Sequence, residues 1–126
     1  MIESHFGESA PLTVGIEEEL MILDAATLMP ADAVELFVRE SDELDLPGKL
    51  KTELHASVVE LSTGICADVP EAIESVRALR AAAARIAAAN GLAIAAAGTH
   101  PTATFDSLPV VPEKRYPAMV KDVGYA

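Results

Sequence analysis

Residues 68–91, "DVPEAIESVRALRAAAARIAAANG", constrain the fold of this chain more than any other stretch. Asp68 and Glu71 have the D-x-x-E spacing of a capping box, which satisfies amides that the first helical turn leaves open. Pro70 falls in that first turn, where its missing N–H is tolerated. Ile73, Val76, Leu79, Ala83 and Ile86 then recur at helical spacing as one apolar stripe. Asn90 and Gly91 supply a left-handed C-terminal cap. The pattern predicts a helix over 68–90. An extended segment, about 50–63, precedes it, and the short apolar run "LAIAAAG" at 92–98 follows as a buried strand. Strand, helix, strand in this order demands a crossover connection, and so an α/β or α+β layer.

The remaining segments fit around that unit. Residues 1–11 are polar and end in Pro11, which reads as a loose N-terminal arm. Residues 12–23 read as a strand, and "DAATLMPAD" as a turn leading into a helix over about 31–41. Charge, Pro47 and Gly48 make 41–49 a connector. After the 92–98 strand, "THPTATFDSLPVVP" reads as loop, and about 113–123 as a helix entered through a proline. No internal repeat or low-complexity linker is evident.

The 126 residues suffice for one small domain with one core. Much of the 51% apolar content is alanine and aromatics are 4%, so the core is expected to be thin. A net charge of −11 argues against a nucleic-acid or anionic-membrane surface, both of which need a Lys/Arg excess. Acidic charge can instead be concentrated where a cation sits. No run is long enough to span a membrane. A single cysteine, Cys66, excludes an internal disulfide and, with no signal peptide, points to a reducing cytoplasm.

The run Glu17, Glu18, Glu19 sits inside the predicted first strand, "TVGIEEELMIL". Strand side chains alternate, so Glu17 and Glu19 share a face with Met21 and Leu23, while Glu18 joins Leu20 and Ile22. Carboxylates two residues apart on a strand lie roughly 6.5–7 Å apart, from a rise of about 3.3 Å per residue. That separation suits the flanking of a hard cation such as Mg²⁺, which takes oxygen ligands. It also suits a solvated sheet edge, where charge discourages aggregation. In "ELHASVVE", Glu53, His55 and Ser57 share a face of a regular strand, whereas Glu60 falls on the other. Both glutamates reach one site only if the chain turns or bulges between them.

"TVGIEEELMILD", "KTELHASVVELSTGIC" and "AAAGTHP", in this order, resemble the start of the carboxylate–amine ligases of the second glutamate–cysteine ligase type. "KRYPAMVKDVG" is similar to the segment that follows in that family. The resemblance covers the chain from Thr13 onward. It implies an α+β fold, the N-terminal part of a glutamine-synthetase-like catalytic domain whose mostly antiparallel sheet carries helices on one face. It also implies ATP- and Mg²⁺-dependent joining of a glutamate γ-carboxylate to an amine such as that of cysteine, through an acyl phosphate. Such chemistry needs mainly positioning and charge neutralisation. Residue by residue, Glu17 and Glu19 match the metal-binding pair of the first motif, and Glu53 and Glu60 the acidic positions of the second. Glu18 matches no metal position. His100 matches a position near the substrate end of the funnel that the curved sheet forms in that family, and His55 and Arg115 are candidates for substrate contact.

Members of that family are much longer, so the resemblance implies a partial domain over 12–126. The remaining metal ligands and the basic residues for nucleotide would then lie elsewhere, and the chain alone would be inactive. The alternative is a non-catalytic module whose unpaired sheet edges drive self-association or pairing with a complementary chain. Cys66 lacks a basic neighbour and reads as a buried structural thiol. The arginines of the long helix read as its solvated face, pairing with Glu71 and Glu74. Ser57, Ser62 and Thr63 lack the partners of a hydrolase triad.

Overall fold

The chain folds as β1 (Glu17–Asp24), α1 (Val34–Ser41), β2 (Gly48–Thr52), β3 (Val58–Thr63), α2 (Val69–Ala89), β4 (Leu92–Ala95), a 3₁₀ turn (Phe105–Ser107) and α3 (Arg115–Val123). The computed structural model describes residues 7–8, 10–113 and 115–123, and of residues 105, 115, 117, 118 and 123 the backbone alone. Most of the predicted N-terminal arm therefore lies outside the described residues.

The four strands form one sheet in the order β2-β3-β1-β4, with every neighbouring pair antiparallel. Helix α1 carries the chain from β1 over β3 to β2, and α2 carries it from β3 over β1 to β4. These two interlocked crossovers make the split β-α-β arrangement. The expected α+β class, with an antiparallel sheet and helices on one face, is what the chain adopts.

Helix α2 starts where its capping box predicts. The Asp68 carboxylate accepts from the Glu71 amide at 2.9 Å, and the Glu71 carboxylate accepts from the Ala67 amide at 2.6 Å. Gly91, at φ +69°, takes the left-handed position that ends the helix. The buried stripe is rotated from the predicted one. Ala72, Ser75, Leu79, Ala82, Ala83, Ile86 and Ala87 face the sheet, while Ile73 is 47% exposed. Small residues at 72 and 75 let the first turns lie close to the strands. Further along α2, Gly48 leaves room for Leu79 and for β3, because a Cβ there would lie 2.2 Å from the Ser62 carbonyl oxygen and 3.1 Å from Leu79.

Leu20, Ile22, Leu50, Val59 and Leu61 of the sheet meet Val34, Phe37, Leu79 and Ile86 of the helices in one core. Phe37 and Ile22 are fully buried, which stabilises the fold by about 1.5–3 kcal/mol each.

Several boundaries differ from the sequence reading. The strand expected buried over 92–98 ends at Ala95 and is half-buried at the sheet edge. The others shift through tertiary pairing. The first strand begins at Glu17, because residues 14–16 leave the ladder: Val14 bridges Cys66, and the Thr63 amide donates to the Ile16 carbonyl. Helix α1 begins only at Val34, because the Ala31 amide is held by the Ile22 carbonyl and Ala33 and Val34 both donate to the Ala56 carbonyl. The expected single extended segment over 50–63 is two strands. Between them the Ala56 amide donates to Pro109 and the Val111 amide to Leu54, which draws residues 54–56 onto the later loop. Gly48 and Lys49, expected in a connector, open β2.

Candidate active site

The alternation predicted for the glutamate run holds. Glu18 faces the helices, where Arg80 of α2 donates from Nε to Oε2 at 2.6 Å and from Nη2 to Oε1. These hydrogen bonds hold the Glu18 carboxyl below its ordinary range, against a smaller opposing effect of burial, and raise Arg80. Arg80 is thus drawn to the sheet rather than to the glutamates of its own helix; Arg77 does pair with Glu74 as expected.

Glu17 and Glu19 project from the opposite face. On that face Glu19 stands directly across from Glu60 of β3, and Glu60 directly across from Lys51 of β2. Lys51 Nζ lies 3.0 Å from Glu60 Oε1 and 3.6 Å from Glu17 Oε1. Three of the four predicted acids therefore share one face, in a row steadied by one lysine. The turn at 53–57 restores Glu60 to the side of Glu17 and Glu19, which a continuous strand would have denied. Glu53 lies one residue past β2, at the start of that turn, and makes no ion pair or hydrogen bond among the described residues.

The donor chemistry of this row suits a hard divalent cation, since every ligand is a carboxylate oxygen. Like charges directly opposed on a sheet also repel, which favours a cation between them. Among the described residues, however, no three Asp, Glu, His or Cys side chains gather closely enough to enclose a metal ion. By themselves these carboxylates enclose no cation.

One step further along the same face, Met21 stands across from Val58. They floor a hollow of about 520 Å³ whose walls include His55, His100, Asp106 and Leu108. The two histidines named from the sequence thus share one cavity. Their roles in it differ. His100 Nδ1 accepts from the Thr102 and Ala103 amides at 3.2 and 3.0 Å, and Nε2 donates to the Leu28 carbonyl at 2.9 Å. It clamps the 100–103 loop to the turn after β1. That turn is set by Asp24, which accepts from the Thr27 hydroxyl and amide and from the Ala26 amide; these bonds hold its carboxyl below the ordinary range. His55 makes no side-chain hydrogen bond among the described residues, and its Nδ1 is buried without a partner.

Arg115 opens α3, and its side chain lies outside the described residues. Its neighbour Tyr116 is buried and donates to the Thr52 carbonyl at 3.4 Å. Cys66 is buried, 3.5 Å from the Gly64 carbonyl, as expected of a structural thiol. A second hollow of about 440 Å³ opens between the start of β1 and α2, lined by Ile16, Ile73, Val76 and Arg80. Its charged groups are all paired: Glu18 with Arg80 across the hollow, and Glu17 and Arg77 with Lys51 and Glu74 outside it. Among the described residues no helix is long and apolar enough to cross a membrane.

The pattern of Glutamate-cysteine ligase family 2 matches residues 13–126. The chain belongs to that family. Similar proteins are "Putative glutamate--cysteine ligase 2" of Solibacter usitatus, 36% identical over 89% of this chain and 29% of the relative, and its namesake of Herpetosiphon aurantiacus, 37% identical over 92% and 30%. A third, "Putative glutamate--cysteine ligase 2-3" of Rubrobacter xylanophilus, is 34% identical over 98% and 34%. The chain spans about a third of the length of these relatives. The family match includes β1, β3, the 53–57 turn and the 96–108 loop, so the carboxylate row and the His55 hollow both lie in family sequence.

Lys51 and Asp106 were not anticipated as site residues. The alternation in "GKLKT" places Lys51 on one face with Lys49, but only the hairpin register sets it against Glu60. Asp106 lies in a segment read only as loop.

Proposed function

We propose that this chain supplies the N-terminal part of an ATP- and Mg²⁺-dependent carboxylate–amine ligase of the glutamate–cysteine ligase kind. Support comes from family membership over 13–126 together with one observation: Glu17, Glu19 and Glu60 share an open sheet face directly beside an uncommitted hollow. In this reading those three carboxylates, with Glu53 from the adjoining turn, hold one side of the Mg²⁺ site. Bound there, Mg²⁺ would neutralise the phosphate charge of ATP. The chain's own contribution is positional. The β1–β3 register fixes Glu19 against Glu60, Lys51 neutralises Glu60 and Glu17 until a cation displaces it, and Glu18 anchors β1 to α2 from behind. The glutamate γ-carboxylate would accept the γ-phosphoryl group, and the amine would then displace phosphate from the acyl phosphate. The lone buried Cys66 fits a reducing, cytoplasmic setting.

A chimera tests this reading. These 126 residues replace the corresponding third of a longer family member, and ADP release is followed with glutamate and a panel of amines. Amine-dependent ADP release that is lost in the Glu17→Gln/Glu19→Gln chimera is expected. A folded chimera that releases no ADP with any amine overturns the proposal.

A second reading, assembly through the sheet, is favoured by one further observation. The edges at β2 and β4 carry no further strand among the described residues, and Ile65, Val69 and Ile73 are 72%, 59% and 47% exposed. Partner polypeptide would cover them. Sedimentation of the chain distinguishes the cases: a concentration-independent monomer removes the self-association reading.

A further inference from the structure

β4 is shorter than the strand it pairs with, and its end leaves part of β1 without a neighbour. Their register runs from Asp24 opposite Leu92 to Met21 opposite Ala95. Just past β1, the Ala25 amide donates to the Gly91 carbonyl in the same register, so odd-numbered residues aim their backbone groups at β4. On the other side the Ile22 amide donates to the Ser57 carbonyl and the Thr63 amide to the Ile16 carbonyl, so even-numbered residues face β3. Glu17 and Glu19 therefore present N–H and C=O groups to a side of β1 that no strand covers among the described residues. A free strand edge is a template for further pairing.

The residues that would continue β4 along this edge are Ala96, Ala97, Gly98 and Thr99. The existing register, carried onward, sets Ala96 opposite Leu20, Ala97 opposite Glu19, Gly98 opposite Glu18 and Thr99 opposite Glu17. Their sizes suit those places. Ala96 would stay on the helix side, where it already borders a hollow of about 330 Å³ with Leu20, Ala81, Ala84 and Ile94. Gly98, with no side chain, would fall beside the Glu18–Arg80 pair. In the structure residues 96–99 are exposed and leave the sheet instead.

His100 draws them away. Its Nε2 donates to the Leu28 carbonyl at 2.9 Å, in the turn after β1, and the Thr102 hydroxyl donates to Met29 Sδ at 3.9 Å. This clamp and the longer strand exclude one another. The Leu28 amide donates to the Asp24 carbonyl, so the turn lies level with residue 24. Residues 17 and 24 are about 23 Å apart on a strand, at about 3.3 Å per residue. His100 follows Thr99 directly, and consecutive Cα atoms are only about 3.8 Å apart. The next anchor can hold in both positions. Pro109, bonded to the Ala56 amide, is far enough along the chain for the intervening residues to reach up to about 33 Å.

We propose that residues 96–104 form a two-position gate: clamped by His100 they wall the hollow over Met21 and Val58, and released they zip onto the free edge of β1 and uncover it. Gly98, Thr99, His100, Ala103 and Thr104 all line that hollow, so the longer strand removes a whole wall. Release gives up the His100–Leu28 bond and the packing of the loop on Met21. It gains the Ala97–Glu19 and Thr99–Glu17 pairs, in which both residues exchange N–H and C=O groups. A molecule held in the hollow touches this wall only in the clamped position, and so favours it. The gate rests on the fold alone and stands apart from the ligase reading.

NMR of the chain carrying His100→Ala, which removes the clamp without touching β4, tests the gate. Gly98 and Glu18 form a non-hydrogen-bonded pair in the longer strand, where the two backbones approach most closely. An NOE between their α-protons is expected in His100→Ala and absent from the parent. Amide exchange at Ala97, Thr99 and Glu19 should slow by about tenfold or more. Adding Ala97→Pro removes an N–H that the pairing needs and should abolish both signs. A released loop without the NOE, with fast exchange at 97 and 99, overturns the proposal. So does protection that survives Ala97→Pro, or protection that grows with protein concentration, which would put a second copy on the edge.

Discussion

Glu19 and Glu60 stand directly opposite each other on β1 and β3, two carboxylates on one open face with Lys51 bonded to Glu60 alone of the pair. Such a pair destabilises a sheet by a few tenths of a kcal/mol to about 1 kcal/mol. Without divalent cation, Glu19→Gln should therefore raise the melting temperature of the chain. With Mg²⁺ the parent should gain stability and Glu19→Gln should gain less. Equal Mg²⁺-induced shifts in thermal unfolding would remove Glu19 from the proposed metal site.

Lys51 competes with any cation for Glu60 and Glu17. Lys51→Met should lower stability by about 0.5–1 kcal/mol in low-salt denaturation, with the loss shrinking as salt screens the exposed partners. The same substitution should tighten Mg²⁺ binding by calorimetry. Weaker Mg²⁺ binding would mean that Lys51 organises the carboxylates rather than occupying the cation's place.

Glu18 belongs to the scaffold. Glu18→Gln should cost about 0.5–1 kcal/mol, because the fork of Arg80 is bidentate but half exposed, and chimera turnover should be largely retained. The folded pKa of Glu18 is depressed below its ordinary 4.5. Its stabilisation is thus complete above that value and is lost as pH falls through the depressed one. Parent and Glu18→Gln unfolding curves should converge in acid and separate towards neutral pH. A constant gap across that range would show that the pair is not the origin.

His100 closes the loop over the hollow with three backbone hydrogen bonds. His100→Ala should accelerate hydrogen exchange at the Thr102 and Ala103 amides, which lose their acceptor, while amides of β1 and β3 stay protected. Unchanged exchange at 102 and 103 would contradict the clamp.

Gly48 is fixed by sterics rather than by conformation. Gly48→Ala should cost about 1–3 kcal/mol in chemical denaturation, because its Cβ would meet the Ser62 carbonyl, a backbone atom that cannot rotate away.

The sequence by itself determined the elements whose causes are local. The capping box and Gly91 placed α2 to within a residue at each end. Period-two alternation separated Glu18 from Glu17 and Glu19, and three ordered motifs identified the family. The tertiary structure decided what depends on distant chain. Whether 50–63 was one strand or two depended on Pro109 and Val111 capturing residues 54–56, and that capture put Glu60 on the face of Glu17 and Glu19. The face that α2 buries was set by its packing on the sheet, where Leu79 lies against Gly48, a contact no periodicity contains. The partner of Glu18 and the meeting of His55, His100 and Asp106 around one hollow likewise join residues far apart in the chain. Hydrogen bonding within a few residues leaves its mark on the local sequence. Register and long-range packing are selected only when the whole sheet closes, and here they built the site.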